Sequence, residues 1–110
     1  MRTEYLEIVT RDVDAVCKSF ETSQGEVFSD PIETLGNARV APLEGGGRVG
    51  VRAPMHESEE PVVRPYWSVD DVQAAVDCAV AEGAEIAHPP MELPGQGTFA
   101  IVIHGGAQIA

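Results

Sequence analysis

The sequence predicts an α+β domain built from two tandem βαβββ modules, and three observations support this. EYLEIVTRDVDAVCKSF aligns with VRPYWSVDDVQAAVDCA when Asp12 is placed over Asp71. Both segments carry one apolar stripe at helical spacing, and both halves of the chain close with a strand, a glycine turn and a second strand. A repeat of this length indicates a duplicated supersecondary unit.

Each module begins with a strand that leads into an amphipathic helix. The stripes follow the i, i+3, i+4, i+7 spacing and comprise Val13, Val16, Cys17 and Phe20 in one copy and Val72, Ala75, Val76 and Ala79 in the other. The candidate helix-start residues are Thr10, Asp12, Ser68, Asp70 and Asp71. Their side-chain oxygens can accept from free N–H groups of a first helical turn. Gly25 and Gly83 lie near the expected helix ends, where glycine is favoured.

The remainder of each module is predicted to be extended. A short segment closed by proline follows each helix, at 25–31 and at 83–90. Strand, turn and strand then occupy 38–53 and 98–110. Gly105-Gly106 suits a two-residue hairpin, because such turns require positive φ at both positions.

With 110 residues, the chain is long enough for one domain and not for two independent cores. Its predicted parts are module one at about 1–53, a polar linker at about 54–61 and module two at about 62–110. An apolar content of 44% predicts a folded chain rather than a disordered one.

The formal net charge of −11 disfavours nucleic acid and anionic membranes as partners. No apolar run is long enough for a transmembrane helix, and the acids in MRTEYLEIVTRD are unlike a secretory signal, so a cytoplasmic location is expected. Cys17 and Cys78 lie in the predicted helices and are expected to be reduced, buried thiols.

Three segments, YLEIVTRDVDAV, PYWSVDDVQAAVDCAVAEGAEI and PPMELPGQGTFAIVIHGGAQIA, resemble the vicinal oxygen chelate superfamily. That superfamily includes glyoxalase I, bleomycin-resistance proteins and extradiol dioxygenases. The resemblance implies a glyoxalase-like fold, with mixed sheets curled around a cavity, and a homodimer. It also implies metal-ligand positions on the first and last strand of each module, which fall here on Tyr5, Gly50, Arg64 and Ala110.

These four positions do not match a metalloenzyme. Arginine has no lone pair to donate, and glycine and alanine have no side-chain donor, which leaves Tyr5 alone. The three histidines, His56, His88 and His104, are expected in a linker, a loop before proline and a hairpin turn, and share no metal-type spacing. We therefore expect no metal and no other cofactor.

Strand alternation predicts which side chains face the cavity. If Tyr5 does, so does Glu7; if Arg64 does, so do Tyr66 and Ser68, while Trp67 faces the core. The predicted ligand-binding residues are Tyr5, Glu7, Arg64, Tyr66, Ser68 and Gln108. A few polar groups on apolar walls suit a small amphipathic or aromatic ligand. No catalytic residue is identified.

Arg64 has two interpretations. It recognises a carboxylate or phosphate of a ligand, or it pairs with Glu7 in the place a metal would occupy. The first functional hypothesis is a metal-free small-molecule-binding protein of the bleomycin-resistance type. The alternatives are a metal-dependent lyase or dioxygenase of the same superfamily with unrecognised ligands, and a dimeric interaction domain without a ligand.

Overall fold

The structure is a computed structural model that describes all 110 residues. The first half contains β1 (Thr3–Val9), α1 (Val13–Gln24), a short 3-10 helix (Glu33–Leu35), β2 (Arg39–Pro42) and β3 (Arg48–Arg52). The second half contains β4 (Val62–Trp67), α2 (Val72–Ala81), β5 (Glu85–Leu93), β6 (Gly97–His104) and β7 (Ala107–Ile109). Neither helix is long and apolar enough to cross a membrane. The predicted α+β class is confirmed.

The strands form two sheets that do not divide at the module boundary. The four-stranded sheet has the order β2-β3-β1-β4, so the first strand of the second half completes the sheet of the first half. The three-stranded sheet has the order β5-β6-β7. The sheets meet where the backbone N–H of Trp67 donates to the carbonyl of Ala110 at 3.0 Å. This arrangement places the inner face of β1, β3 and β4 beside β6 and β7.

The pairing of β1 with β4 has the symmetry expected of a duplication. In this antiparallel pair Tyr5 lies opposite Tyr66, and Glu7 lies opposite Arg64. The alignment that puts Tyr5 over Arg64 also puts Glu7 over Tyr66. Placing β1 on β4 according to the repeat therefore places the Tyr5–Tyr66 pair on the Arg64–Glu7 pair. The two strands are related by a local two-fold symmetry, as expected of a duplicated module.

Each helix covers its own small core. Cys17 is the buried residue of α1 and Val76 that of α2, and these are equivalent positions in the repeat. Cys17 packs with Phe28, Ala41, Val49 and Val51, whereas Val76 packs with Ala84 and Val102. Val76 and Val102 also line the cavity described below, so the core under α2 adjoins that cavity.

Both predicted glycine hairpins are present. β2 pairs antiparallel with β3, and β6 pairs antiparallel with β7. Gly105 has φ of +58° and Gly106 has φ of +84°, which is the backbone conformation that this turn requires.

The helix starts depend on fewer side chains than expected. Asp71 is the N-cap of α2, and its carboxylate accepts from the backbone N–H of Ala74. Asp12 is the N-cap of α1, but its side chain makes no capping hydrogen bond. Thr10 accepts instead from the N–H of Asp12, and Ser68 caps no helix.

The predicted extended segment at 25–31 does not form a strand. The N–H of Phe28 donates to the Glu21 carboxylate, and Pro31 has no N–H, so a continuous ladder cannot form there. An isolated bridge between Ile32 and Ala38 takes its place. The equivalent segment at 83–90 does become a strand, β5.

Two side chains lie differently from the prediction. Cys78 is exposed, because it lies beside the apolar stripe of α2 rather than on it, although both cysteines are free. Trp67 is 37% exposed and lines the cavity instead of joining the core. A register shift between Thr3 and Tyr5 interrupts the alternation at this end of the β1–β4 pair.

Candidate functional site

A cavity of about 760 Å³ is bounded by the inner face of the first sheet, by β5 and β6, and by α2. Five of the six predicted ligand-binding residues line it: Tyr5, Glu7, Arg64, Tyr66 and Ser68. Gln108 does not, because it is exposed on the short strand β7, where Ile109 and Ala110 supply the lining instead. The volume lies within the range of small-molecule sites.

Glu7 is at the centre of the cavity floor, where it is 8% exposed. Its Oε2 accepts from Nε of Arg52 at 2.9 Å, and its Oε1 accepts from Nη1 of Arg64 at 2.9 Å. The hydroxyl of Tyr66 lies 3.4 Å from the same Oε1. Each carboxylate oxygen is thus bound by its own guanidinium, and the predicted pairing of Arg64 with Glu7 is present.

Arg52 is hydrogen-bonded through all three of its guanidinium nitrogens. Besides Glu7, it donates to both carboxylate oxygens of Glu59 at 2.8 and 2.7 Å and to the carbonyl of Ala53. The hydrogen bond to Glu59, reinforced by Glu7, raises the pKa of Arg52. The hydrogen bond from Arg52 lowers the pKa of Glu59 to about 2. Arg52 therefore ties the segment between the modules to the cavity floor.

The ion pair between Glu59 and Arg52 makes the free energy of unfolding depend on pH in the acid range. Since its pKa falls from 4.5 to about 2 on folding, Glu59 stabilises the fold fully above about pH 4.5, and this contribution is lost as the pH falls through about 2. We expect Glu59→Gln to lower the free energy of unfolding at pH 7 by about 1–2 kcal/mol, reduced from the full linkage value by solvent screening. Urea unfolding at pH 7, 4 and 2.5 measures this.

The control for this prediction is Glu60→Gln, which removes an exposed charge from the neighbouring position. It is expected to change stability by less than about 0.5 kcal/mol at every pH. A Glu59→Gln deficit that stays constant down to pH 2.5 would contradict the assigned ion pair.

Arg64 makes fewer hydrogen bonds than Arg52. Its Nη1 contacts Glu7 and lies 3.5 Å from the hydroxyl of Tyr66. Its Nε is buried and has no hydrogen-bond partner, and its Nη2 makes no hydrogen bond either. One edge of this guanidinium is accordingly unused.

Tyr5 and Gly50, two of the four positions implied for metal ligands, pack against each other. Any Cβ at Gly50 would overlap the phenol oxygen and Cζ of Tyr5. The guanidinium of Arg48 lies 5.8 Å from the centre of the Tyr5 ring. Burial, assisted by the charge of Glu7, raises the pKa of Tyr5 to about 12, so the phenol stays neutral at physiological pH. Gly50 thus gives room to an aromatic ring.

A row of four rings crosses the cavity from one sheet to the other. Tyr5 and Tyr66 have ring centres 6.1 Å apart, Tyr66 and Phe99 are 5.9 Å apart, and Phe99 and His88 are 4.7 Å apart. His88 lies in strand β5 and not in a loop as predicted; β5 is an edge strand, where the following prolines are tolerated. Other apolar lining comes from Trp67, Val72, Met91, Leu93 and Ile101.

Sequence reasoning missed several lining residues, namely Arg48, Arg52, Glu59, His88, Gln96 and Phe99. Strand alternation could have predicted two of them. Arg48 and Arg52 lie two residues before and after Gly50, which was expected to face the cavity, and every second residue of a strand faces the same side. No pattern pointed to Glu59, whose role depends on how the segment between the modules folds back.

The cavity residues do not fit a divalent cation. No group of three or more His, Cys, Asp or Glu side chains lies together anywhere in the structure. The carboxylate of Glu7 is bound by two guanidinium groups, whose charge would repel a cation. His56 bonds Ser58, and His104 is exposed on another strand end, so neither supplements Glu7.

Comparison with known proteins supports the fold. No family model and no curated protein sequence matches the chain. The solved structure of a variant methylmalonyl-CoA epimerase from Streptomyces coelicolor, in complex with 2-nitronate-propionyl-CoA, is similar with a TM-score of 0.69. The similarity covers 99% of this chain and 94% of that chain at 17% sequence identity. This confirms the glyoxalase-like fold predicted from the sequence.

Proposed function

We propose that this protein binds a small amphipathic or aromatic molecule in its cavity without a bound metal, as a protein of the glyoxalase and bleomycin-resistance type. The observation that carries the proposal is the composition of one cavity of about 760 Å³. It combines a row of aromatic rings with a floor of hydrogen-bonded charges. Apolar walls with a few fixed polar groups are typical of small-molecule sites.

The ion pairs on the floor support a metal-free site. A buried carboxylate needs a partner, and Glu7 has two, Arg52 and Arg64. No metal is needed to neutralise it. A metal-dependent lyase or dioxygenase would need several His or carboxylate ligands close together. Glu4, Glu7, Glu59 and His88 line the cavity, but no three of them form a group that could hold a metal ion.

The open cavity favours ligand binding over a purely structural interaction domain. Tyr5, Arg64 and Tyr66 line the space without filling it. The homodimer implied by the sequence resemblance stays a prediction, to be checked by the mass of the protein in solution.

The proposal is tested with a neutral aromatic probe, 6-phenylhexanamide. Trp67, the single tryptophan, lines the cavity, so a bound ligand is expected to change its fluorescence in a saturable manner. A ligand of this size is expected to bind with a Kd of about 1 mM or tighter. Phe99→Ala should weaken binding by removing a ring of the row, whereas Val27→Ala, at an exposed site away from the lining, should not.

Calorimetry under the same conditions provides an independent readout. A protein that folds normally yet shows neither a saturable fluorescence change nor binding heat would contradict the proposal. In that case the interaction-domain hypothesis would be favoured.

A further inference from the structure

We propose that the ligand of this cavity has a linear alkyl chain, and that this chain inserts between α2 and β6, into space that the first half of the molecule fills with its own side chains. The inference rests on the proposed function, since it names the chemistry of the same ligand. It goes further by assigning the apolar end of the ligand to one part of the cavity, the α2 compartment. The residues that line this compartment are Val72, Ala75, Val76 and Ala79 of α2 and Ala100 and Val102 of β6.

The cavity extends to both faces of β6. Successive side chains of a strand point to opposite faces, so a cavity on one face alone would meet only every second residue. Phe99 faces the first sheet, where its ring centre lies 5.9 Å from that of Tyr66. Ala100 and Val102 belong to the core under α2. The cavity is nevertheless lined by five consecutive residues of β6, namely Thr98, Phe99, Ala100, Ile101 and Val102.

A ligand that reaches both the row of rings and the α2 compartment must bend around the second sheet. Trp67, Ile109 and Ala110 line the same cavity where the two sheets meet. The strands β4 and β7 are not paired there, and one backbone hydrogen bond, from the N–H of Trp67 to the carbonyl of Ala110, connects them. A flexible alkyl chain can follow such a bent path, whereas a rigid fused-ring body cannot.

The first half of the molecule fills the equivalent space with larger side chains. The repeat places Val16 of α1 over Ala75 of α2, and Phe20 over Ala79. Both positions therefore carry a smaller side chain in the second half. All four residues of the apolar stripe of α2 line the cavity, whereas none of the α1 stripe does. The α2 compartment is the space that these smaller side chains leave open.

A second aromatic ring of the first core also has no counterpart under α2. Phe28, the fourth residue of the segment at 25–31, is 5% exposed, and its ring centre lies 6.2 Å from that of Phe20. The fourth residue of the equivalent segment at 83–90 is Ile86, which is 49% exposed. An alkyl chain under α2 would supply apolar contacts of the kind that Phe20 and Phe28 supply under α1.

The chemistry of the α2 compartment selects an apolar group. Every residue that lines it is Val or Ala, so no side chain there offers a hydrogen bond. Displacing water from such a surface is favourable in proportion to the apolar area covered. Val76 and Val102 are only 4% and 8% exposed, so the compartment is closed at this end. Affinity should accordingly rise with chain length until the chain reaches these two residues.

The test uses three neutral amphiphiles, 1,2-hexanediol, 1,2-octanediol and 1,2-decanediol, with calorimetry and Trp67 fluorescence. Each has two CH₂ groups more than the one before, and the polar end is constant. Burying one CH₂ group strengthens binding by about 4-fold, so we expect the Kd to fall by about 10-fold at each step. A Kd that does not change with chain length would contradict the proposal.

Ala79→Phe separates the α2 compartment from unspecific adsorption of longer chains. The substitution installs the residue that α1 has at the equivalent position, and its ring fills the compartment. We expect the gain in affinity from 1,2-hexanediol to 1,2-decanediol to fall from about 100-fold to about 10-fold or less. Ala75→Val, which installs the equivalent of Val16, is a smaller change that guards against loss of folding, and it should reduce the gain by about 3-fold. Urea unfolding checks that each variant folds.

Ala74→Phe is the matched control, because it adds the same ring to the same helix at an exposed position that does not line the cavity. It is expected to keep the full gain. In NMR spectra of the native protein, the terminal methyl of 1,2-decanediol should give NOEs to the methyl groups of Val76 and Val102. A gain that is retained in both Ala79→Phe and Ala75→Val, or lost equally in Ala74→Phe, would overturn the assignment to the α2 compartment.

The two proposals fail in different ways in this experiment. If neither 6-phenylhexanamide nor any of the diols binds, the proposed function is wrong. If 6-phenylhexanamide binds and the diols show no gain with chain length, the cavity is a binding site, and the alkyl-chain proposal alone is wrong.

Discussion

Replacing Glu7 by glutamine is expected to lower the free energy of unfolding by about 3 kcal/mol. The substitution keeps the size of the side chain and removes the carboxylate that the buried guanidinium of Arg52 and the partly buried guanidinium of Arg64 share. Arg52 keeps Glu59, but Arg64 loses its charged partner. Breaking a buried ion pair costs about 3–5 kcal/mol, chiefly because an uncompensated charge stays behind.

Urea unfolding of four proteins measures this cost: the native chain, Glu7→Gln, Arg64→Gln and the double variant. The double variant should be less destabilised than the sum of the single variants by at least about 1 kcal/mol, since the second substitution removes the charge that the first leaves unpaired. Glu4→Gln, at an exposed position on the same strand, should change stability by less than about 0.5 kcal/mol. Additive effects of Glu7 and Arg64 would contradict a direct pair.

Replacing Gly50 by alanine is expected to lower the free energy of unfolding by about 3 kcal/mol, near the upper end for overpacking. The reason is the Tyr5 ring, which occupies the space that the new Cβ requires. The two strands cannot separate to make room, because Glu7 and Gly50 are partners in the β1–β3 ladder. The phenol must leave its position over Gly50, and its packing on Tyr66 is then lost.

A compensating substitution separates this explanation from a general intolerance of β3. Tyr5→Ala removes the ring and should itself destabilise the protein. The double variant Tyr5→Ala/Gly50→Ala should nevertheless be no less stable than Tyr5→Ala to within about 0.5 kcal/mol, measured by urea unfolding. A further loss of about 3 kcal/mol on adding the alanine at Gly50 to the Tyr5→Ala background would show that the ring is not the obstacle.

The parts of this fold that local pattern determines could be predicted from the sequence. Stripes at helical spacing predicted α1 and α2, because a helix buries one face wherever it lies. The glycines at 105 and 106 predicted the last hairpin from backbone conformation alone. Strand alternation, applied to the positions Tyr5 and Arg64 that the family resemblance implies for the cavity, predicted that Glu7 and Tyr66 share their face, and the β1–β4 pairing has this arrangement.

Features that depend on contacts between distant segments could not be predicted. Glu59 completes the hydrogen bonding of Arg52, but only the path of the segment between the modules brings them together. A register shift in the β1–β4 pair changes the environment of Trp67, and no local pattern indicates it. Gln108 lies on a strand of only three residues, Ala107–Ile109, which is too short for alternation to fix its face.

The central claim is that the cavity binds its ligand without a metal, and one titration tests it most directly. Protein freed of metal with a chelator is titrated with 6-phenylhexanamide, then again in the presence of Zn²⁺, Mn²⁺, Ni²⁺ or Fe²⁺, with the metal content measured throughout. We expect saturable binding in the chelator-treated protein, with the same Kd in each metal. Binding that appears only with stoichiometric metal, and is lost with that metal in Glu7→Gln, would contradict the claim and favour a metal-dependent enzyme.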